Sequence, residues 1–255
     1  MAPSRHGLPV AIGPPGEPII RMHGITKVFS TPGGDFTVLK NIDVDVCQGE
    51  FVSVVGRSGS GKSTLVNMLT GIDHPTSGTV QVGDVRIHDM PESRMAVWRG
   101  RNLGIVFQFF QLLPMLTLAE NVMLPMDFCS IYPPADREER ALALLKRVGL
   151  EGLAHKLPGA VAGGQQQSAA IARALANDPP ILVADEPTGN LVSHTAGQVM
   201  DIFGELVALG KTIVMVTHDS TLAARTSRIL LISDGELAEE TLFRTNPSSG
   251  SGGPS

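Results

Sequence analysis

Cysteine is nearly absent from this sequence: Cys47 and Cys129 are the only two. So few exclude a disulfide framework, and their separation fits no metal site. Both read as small buried hydrophobes in a reducing compartment. Long apolar runs are missing too, since none approaches the ~18 residues that a membrane-spanning helix needs. Met1 to Pro18 is broken by Pro and Gly and lacks the apolar core of a secretory signal. The expectation is a soluble chain that meets a membrane only through a partner. Basic charge is in deficit. The net charge of −5 gives no global attraction to nucleic acid, and no nucleic-acid partner is expected. No internal repeat is visible, so one copy of the motif set described below is expected.

What is present is the make-up of a globular protein. Hydrophobic residues are 42% and charged residues 18% of the chain. Its 255 residues suffice for one large domain or two small ones. Residues 1–18 are expected to form a flexible leader. Residues 244–255, where Asn246 to Ser255 is Ser, Gly and Pro, are expected to be disordered.

Between these ends the pattern alternates. Ile20 to Val28 and Thr37 to Val46 read as strands, with a turn at Gly33-Gly34. Phe51 to Val55 is a short apolar strand running into Gly56, and Ser63 to Leu69 reads as a helix. Ile181 to Ala184 and Thr212 to Val216 are continuous apolar runs, which suit strands buried on both faces of a parallel sheet. Ile229 to Ser233 and then Asp234-Gly235 read as a strand and a turn. The middle differs. Leu118 to Met123 and Asp136 to Val148 look helical, with Asp136 as a cap and Leu142, Leu145 and Val148 on one face. Residues 109–162 thus form an all-helical insert in an α/β chain.

Gly56-Arg57-Ser58-Gly59-Ser60-Gly61-Lys62-Ser63-Thr64 fits the phosphate-loop pattern G-x-x-x-x-G-K-[ST]. Its glycines let backbone N–H groups turn inward around phosphate oxygens. Lys62 brings positive charge to the β and γ phosphates, and the Ser63 hydroxyl suits Mg²⁺. The following helix presents its positive end to the anion. Ile181 to Ala184 ends in Asp185 and Glu186. The pair reads either as solvated acids at a strand end or as working groups. With the loop at Gly56 to Thr64, the second reading prevails: Asp185 beside Mg²⁺, Glu186 polarising an attacking water. His218 follows the strand Thr212 to Val216, where it either serves structure or faces the γ-phosphate. Gln108 stands between the apolar run Leu103 to Phe107 and the helical insert, where its amide either reaches metal or water or is a polar residue at a helix start. Phe29 either stacks on adenine or is a core aromatic.

Val161-Ala162-Gly163-Gly164-Gln165-Gln166-Gln167 lies between these motifs. It resembles the ABC-ATPase signature, usually Leu-Ser-Gly-Gly-Gln. With the phosphate loop, Gln108, Asp185-Glu186 and His218 in order, the chain resembles ABC transporter nucleotide-binding subunits from about Ile20 to Leu242. Gly71 to Gly78, Phe107-Gln108, Leu112-Leu113-Pro114, Glu120-Asn121-Val122 and Asp185 to Leu191 resemble one subgroup, that of the lipoprotein-releasing and macrolide-efflux ATPases. The resemblance implies an α/β P-loop NTPase of the ABC-ATPase fold over residues 19–243. That fold carries an antiparallel β subdomain and a helical subdomain at about 109–162.

It further implies ATP and Mg²⁺ as cofactors and hydrolysis of ATP to ADP and phosphate. Two ATPase subunits would close head to tail on two ATPs, as a homodimer or with a different partner. They would drive a membrane permease with a large extracytoplasmic domain, from the cytoplasmic face of the membrane. Carried over, Phe29 stacks on adenine, Gly56 to Thr64 hold phosphate, and Gln108 couples metal to the permease-facing insert. That insert docks through the region Gln108 to Pro125. Ala162, Gly163, Gly164 and Gln165 reach the partner's ATP. Ser63, Gln108 and Asp185 serve Mg²⁺, while Glu186, His218 and Lys62 serve catalysis.

Three positions depart from that pattern. Ala162 replaces a serine, Ser168 an arginine, and Val192 the aspartate that ties the two subunits. A hydrogen bond to a charged group contributes roughly 1.5–3 kcal/mol, so Ala162 alone weakens the sandwich by up to roughly ten- to a hundredfold. The expectation is near-normal ATP binding with slow or partner-dependent hydrolysis. Competing readings are a nucleotide-binding regulatory subunit with little hydrolysis and an ABC ATPase outside transport. The latter usually shows tandem cassettes, coiled-coil inserts or zinc cysteines, which this sequence lacks.

Overall fold

The structure, a computed structural model, describes residues 16–242. Most of the expected leader and all of the expected tail lie outside that span. Pro18 already belongs to the first strand.

Two sheets organise the chain. In the first, β1 (Pro18–Thr31) and β2 (Gly34–Cys47) form a long antiparallel hairpin, and β4 (Ser77–Val82) pairs with β1. The short β5 (Val85–Arg86) closes that sheet in the order β2-β1-β4-β5. The second sheet has six strands. Its parallel members are β3 (Phe51–Val55), β6 (Leu103–Val106), β7 (Ile181–Asp185), β8 (Thr212–Val216) and β9 (Arg228–Ser233). The antiparallel β10 (Glu236–Leu242) completes the order β10-β9-β3-β8-β7-β6.

The apolar runs have a direct cause. Within β7, Ile181 and Val183 join a core toward the antiparallel sheet, while Leu182 and Ala184 join a second core on the opposite face. In β8, Val214 and Val216 face the first core and Ile213 and Met215 the second. Side chains alternate across a strand, so a strand covered on both faces must be apolar throughout. The first core also takes Leu65, Val66, Met68 and Leu69 of α1 (Lys62–Thr70) and Met95 and Trp98 of α2 (Glu92–Asn102). The second takes Val199, Met200, Phe203 and Leu206 of α6 (Ser193–Ala208).

A third apolar cluster lies among helices: α3 (Leu118–Cys129), α4 (Pro134–Arg147) and α5 (Gly163–Ala174). Leu142, Leu145 and Val148 face it together, as their spacing predicts. The cluster continues through Ala169, Ala172 and Ala176, so α5 completes the helical packing beyond residue 162. Asp136 is not the cap of α4. Pro133 is the cap and Pro134 opens the helix, because a φ fixed near −65° suits the first helical position. Asp136 falls within the first turn, where its charge still complements the helix dipole. A final short helix, α7 (Ser220–Ala223), follows β8 and is capped by the Asp219 carboxylate.

Candidate functional site

Parallel strands place ligands beyond their carboxyl ends. Here β3, β8, β7 and β6 are consecutive neighbours, and each ends on a group singled out from sequence. β3 runs into Gly56 to Thr64, β8 into His218, β7 into Asp185-Glu186 and β6 into Gln108. A cavity of about 460 Å³ lies there, lined by Ser58, Gly59, Gly61, Lys62, Ser63, Thr64, Gln108, Glu186 and His218, with Phe36 and Val38 on the hairpin side.

The loop is built to lie close to its surroundings. A Cβ on Gly56 would meet the carbonyl oxygen of Ile232 in β9, so only glycine fits. Gly61, at φ 104°, is backed by Leu39 and the Val38 carbonyl. Ser60 is buried and its carbonyl accepts from the Gly235 N–H, so it anchors the loop and does not line the cavity. Lys62 is also buried. Its Nζ donates to the carbonyls of Gly56 at 2.9 Å and Arg57 at 2.8 Å, which pins the ammonium across the loop.

Opposite stand the acids. The Ser63 hydroxyl donates to Asp185 Oδ1 at 3.4 Å. Burial pushes the Asp185 carboxyl above its usual range and the Glu186 charge adds to this, while Ser63 and Lys62 act the other way. Glu186 sits at φ 47°, in the left-handed region, a costly conformation for a residue with a side chain. Its N–H is held by the Val216 carbonyl at 3.0 Å. Its Oε2 lies 2.8 Å from His218 Nδ1 and 3.4 Å from the His218 N–H. The carboxylate is mostly buried and the imidazole mostly exposed. The Gln108 carbonyl accepts from Asn190 Nδ2 at 3.3 Å, which ties the end of β6 to the chain after β7.

Phe29 does not line the cavity, although Phe36 does. The two are cross-strand partners in the hairpin, so their rings share one face of it. Lys27 Nζ lies 4.8 Å from the centre of the Phe29 ring. Phe36 and Val38 were missed from sequence. Only the hairpin register brings them to the phosphate loop, and no local motif carries that signal.

The signature residues lie elsewhere. Ala162 is the N-cap of α5 and its N–H donates to Gln165 Oε1 at 3.0 Å. Ala162, Gly164, Gln165 and Ser168 line a separate cleft of about 480 Å³, facing Thr195 and Gln198 of α6. Gly164 packs so tightly on Thr195 that a Cβ there would strike its methyl group. Val192 caps α6 and is 73% exposed. The N-termini of α5 and α6 are thus neighbours on one surface, apart from the cavity lined by Lys62 and Ser63.

Residues 39–189, more than half of the chain, match the ABC transporter family. The chain belongs to that family. It is an ATP-binding cassette with the α/β fold of ABC ATPases. It is 43% identical over 224 residues to a macrolide export ATP-binding/permease protein of Burkholderia cenocepacia, an alignment that covers 88% of this chain and 33% of the relative. The cassette therefore spans about a third of the length of such relatives. It is also 43% identical over 219 residues to an uncharacterized ABC transporter ATP-binding protein of Bacillus subtilis, covering 86% of this chain and 95% of that one. Among solved structures, the dimeric cassette MJ0796 bound to ADP and phosphate superposes with a TM-score of 0.83 at 40% identity. That match covers 89% of this chain and all of the other. A Clostridium perfringens cassette, part of a cbiONQ complex, gives 0.78 at 27% identity, with 88% of each chain covered. Among the described residues, no helix is long and apolar enough to cross a membrane.

Proposed function

We propose that this cassette binds ATP with Mg²⁺ and pairs with a second ATPase subunit. Hydrolysis by the pair drives a membrane permease with a large extracytoplasmic domain, from the cytoplasmic face. The cargo class is that of export of lipoprotein, peptide or drug-like molecules, or the transmission of mechanical work. The observation that carries the reading is the convergence of Lys62, Ser63, Gln108, Glu186 and His218 on one cavity at the ends of four adjacent parallel strands.

The donor set fits a hard cation. Ser63 Oγ and Asp185 Oδ1 are neighbouring oxygens, Gln108 faces the same cavity, and Mg²⁺ prefers oxygen ligands. The cost of holding Asp185 charged in a buried place is the cost a cation would offset. Ser63, Gln108 and Asp185 would hold Mg²⁺, and the ion would supply positive charge to offset that of the phosphates. The chain's own residues do the rest. Backbone N–H groups of Gly59, Gly61, Lys62 and Ser63 and the Lys62 ammonium hold the phosphates in place. Glu186 accepts a proton from the water that attacks the γ-phosphorus. His218 keeps that carboxylate oriented through the 2.8 Å contact. Phe29 and Phe36 offer aromatic surface to the base. The two glycines and Gln165 at the start of α5 serve the partner's nucleotide. Phe109, Leu113 and Met115, exposed after β6, provide apolar surface for the permease.

The test is a Glu186→Gln variant. Phosphate release should fall by at least about a hundredfold, as loss of a positioned general base does, while ATP binding stays within about threefold. A variant that still hydrolyses at the parental rate sinks the catalytic assignment. If the parental chain itself shows no Glu186-dependent turnover with or without a permease, the regulatory reading takes over.

A further inference from the structure

Arg173, in the last turn of α5, has no part in the chemistry above. Its guanidinium donates through Nη1 to the carbonyl of Gln111 and through Nη2 to that of Phe110, the latter at 2.8 Å. Burial draws it below the usual arginine range, so the charge is held there at a cost. Both acceptors belong to the segment that follows Gln108. Gln111 adopts a left-handed conformation, φ 54°, and turns the chain at the point of contact.

The same segment meets α5 a second time. The Phe110 ring stands 3.7 Å from the place a Cβ would occupy on Gly163, the first residue of the helix. The segment thus meets both ends of α5, through the Arg173 fork at one and the Phe110 ring beside Gly163 at the other. On its other side, Gln108 is joined to Asn190. A fork of two N–H donors suits two adjacent carbonyls, and a lysine ammonium does not reproduce it.

We propose that Arg173 is a positioning residue: by clamping the Phe110 and Gln111 carbonyls to α5, it fixes Gln108 in the nucleotide cavity. It also makes α5 and the Gln108 segment move as one body. A displacement of α5 is then felt at Gln108, which lies 65 residues from Arg173 in sequence (173 − 108) but is joined to it through two consecutive peptide groups. The inference rests on the reading of Gln108 as a group that acts on bound nucleotide.

The experiment uses the full chain and measures phosphate release, ATP affinity and thermal stability. The variants are Arg173→Met, Arg173→Lys, Gln108→Ala and the double variant Gln108→Ala/Arg173→Met. Methionine keeps the apolar stem and removes the fork. Arg173→Met should lower kcat by about ten- to a hundredfold, the effect of a misplaced catalytic group, with ATP affinity unchanged. Arg173→Lys should restore little of this, and the double variant should be no slower than Gln108→Ala. Additive losses in the double variant would overturn the proposal, because a clamp that only supports the fold acts independently of Gln108. Full activity in Arg173→Met overturns it as well. Full activity in Gln108→Ala instead defeats the reading of Gln108 itself, and the clamp's purpose with it.

Discussion

In the function proposed above, Asp185 is a residue that serves chemistry at the expense of the fold. Its folded pKa is raised above the ordinary 3.8, chiefly by burial. Below that ordinary value both folded and unfolded chains hold the proton, and the residue is neutral for stability. As pH rises, the unfolded chain releases its proton first, so the folded state loses stability. The penalty is complete once pH exceeds the folded pKa, and it is therefore present at pH 7. An Asp185→Asn variant should accordingly melt a few degrees higher at pH 7, with the difference shrinking toward pH 3–4. It should hydrolyse ATP at least about a hundredfold more slowly if the carboxylate holds the cation. A lower Tm at neutral pH would mean that the carboxylate is a structural partner of Ser63.

At the scale of elements, the proposed phosphate loop, Asp185-Glu186, Gln108 and His218 could be singled out in sequence for one reason. Phosphate, metal and water chemistry admit few residue types, and each stands directly after an apolar strand. Glycine at position 56 is likewise dictated, by the approach of Ile232. What sequence did not reveal depends on distant partners. Phe36 reaches the cavity through hairpin register, and α5 joins the helical cluster through small residues that carry no strong periodic signal. Arg173 and Asn121 act on loops far from them in space until the chain folds.

Asn121 in α3 makes this concrete. It is fully buried. Its Oδ1 accepts from the Leu113 N–H at 2.7 Å, and its Nδ2 donates to the carbonyls of Leu113, Leu116 and Thr117 at 2.9–3.1 Å. One amide thus shapes the loop that displays Leu113 and Met115, beside a Thr117–Glu120 capping box that starts the helix. Removing it strands several main-chain groups. Asn121→Ala should cost about 2–3 kcal/mol, which at about 2–4 °C per kcal/mol lowers Tm by roughly 5–10 °C. Basal ATP binding should persist, since the loop lies outside the cavity of Lys62 and Ser63. A variant as stable as the parent would show that water replaces the amide there.

For the whole molecule, the proposed pairing turns on how well two cassettes would close on each other. Ala162 and Val192 both occupy helix N-caps, neither offers a capping hydrogen bond, and Gly164 and Thr195 bring the two helix starts together. The departures therefore act on two properties at once. An N-cap Ser or Asp contributes about 1 kcal/mol to a single chain, and Asp adds roughly 0.3–1 kcal/mol against the helix dipole. In Ala162→Ser the new hydroxyl would complete the reciprocal pair already half made by Gln165 Oε1 and the Ala162 N–H. Ala162→Ser and Val192→Asp should each raise the Tm of the nucleotide-free monomer by about 2–4 °C, with no reference to dimerisation.

The second property is separate. In a Glu186→Gln background with ATP, which removes turnover, light scattering measures the dimer directly. A charge-assisted hydrogen bond across the interface contributes about 1.5–3 kcal/mol. Ala162→Ser should therefore tighten the ATP-bound dimer by roughly ten- to a hundredfold. If Tm rises while dimer affinity stays fixed, the three departures have little bearing on closure, and the surface at α5 and α6 is built for a partner that supplies the missing groups.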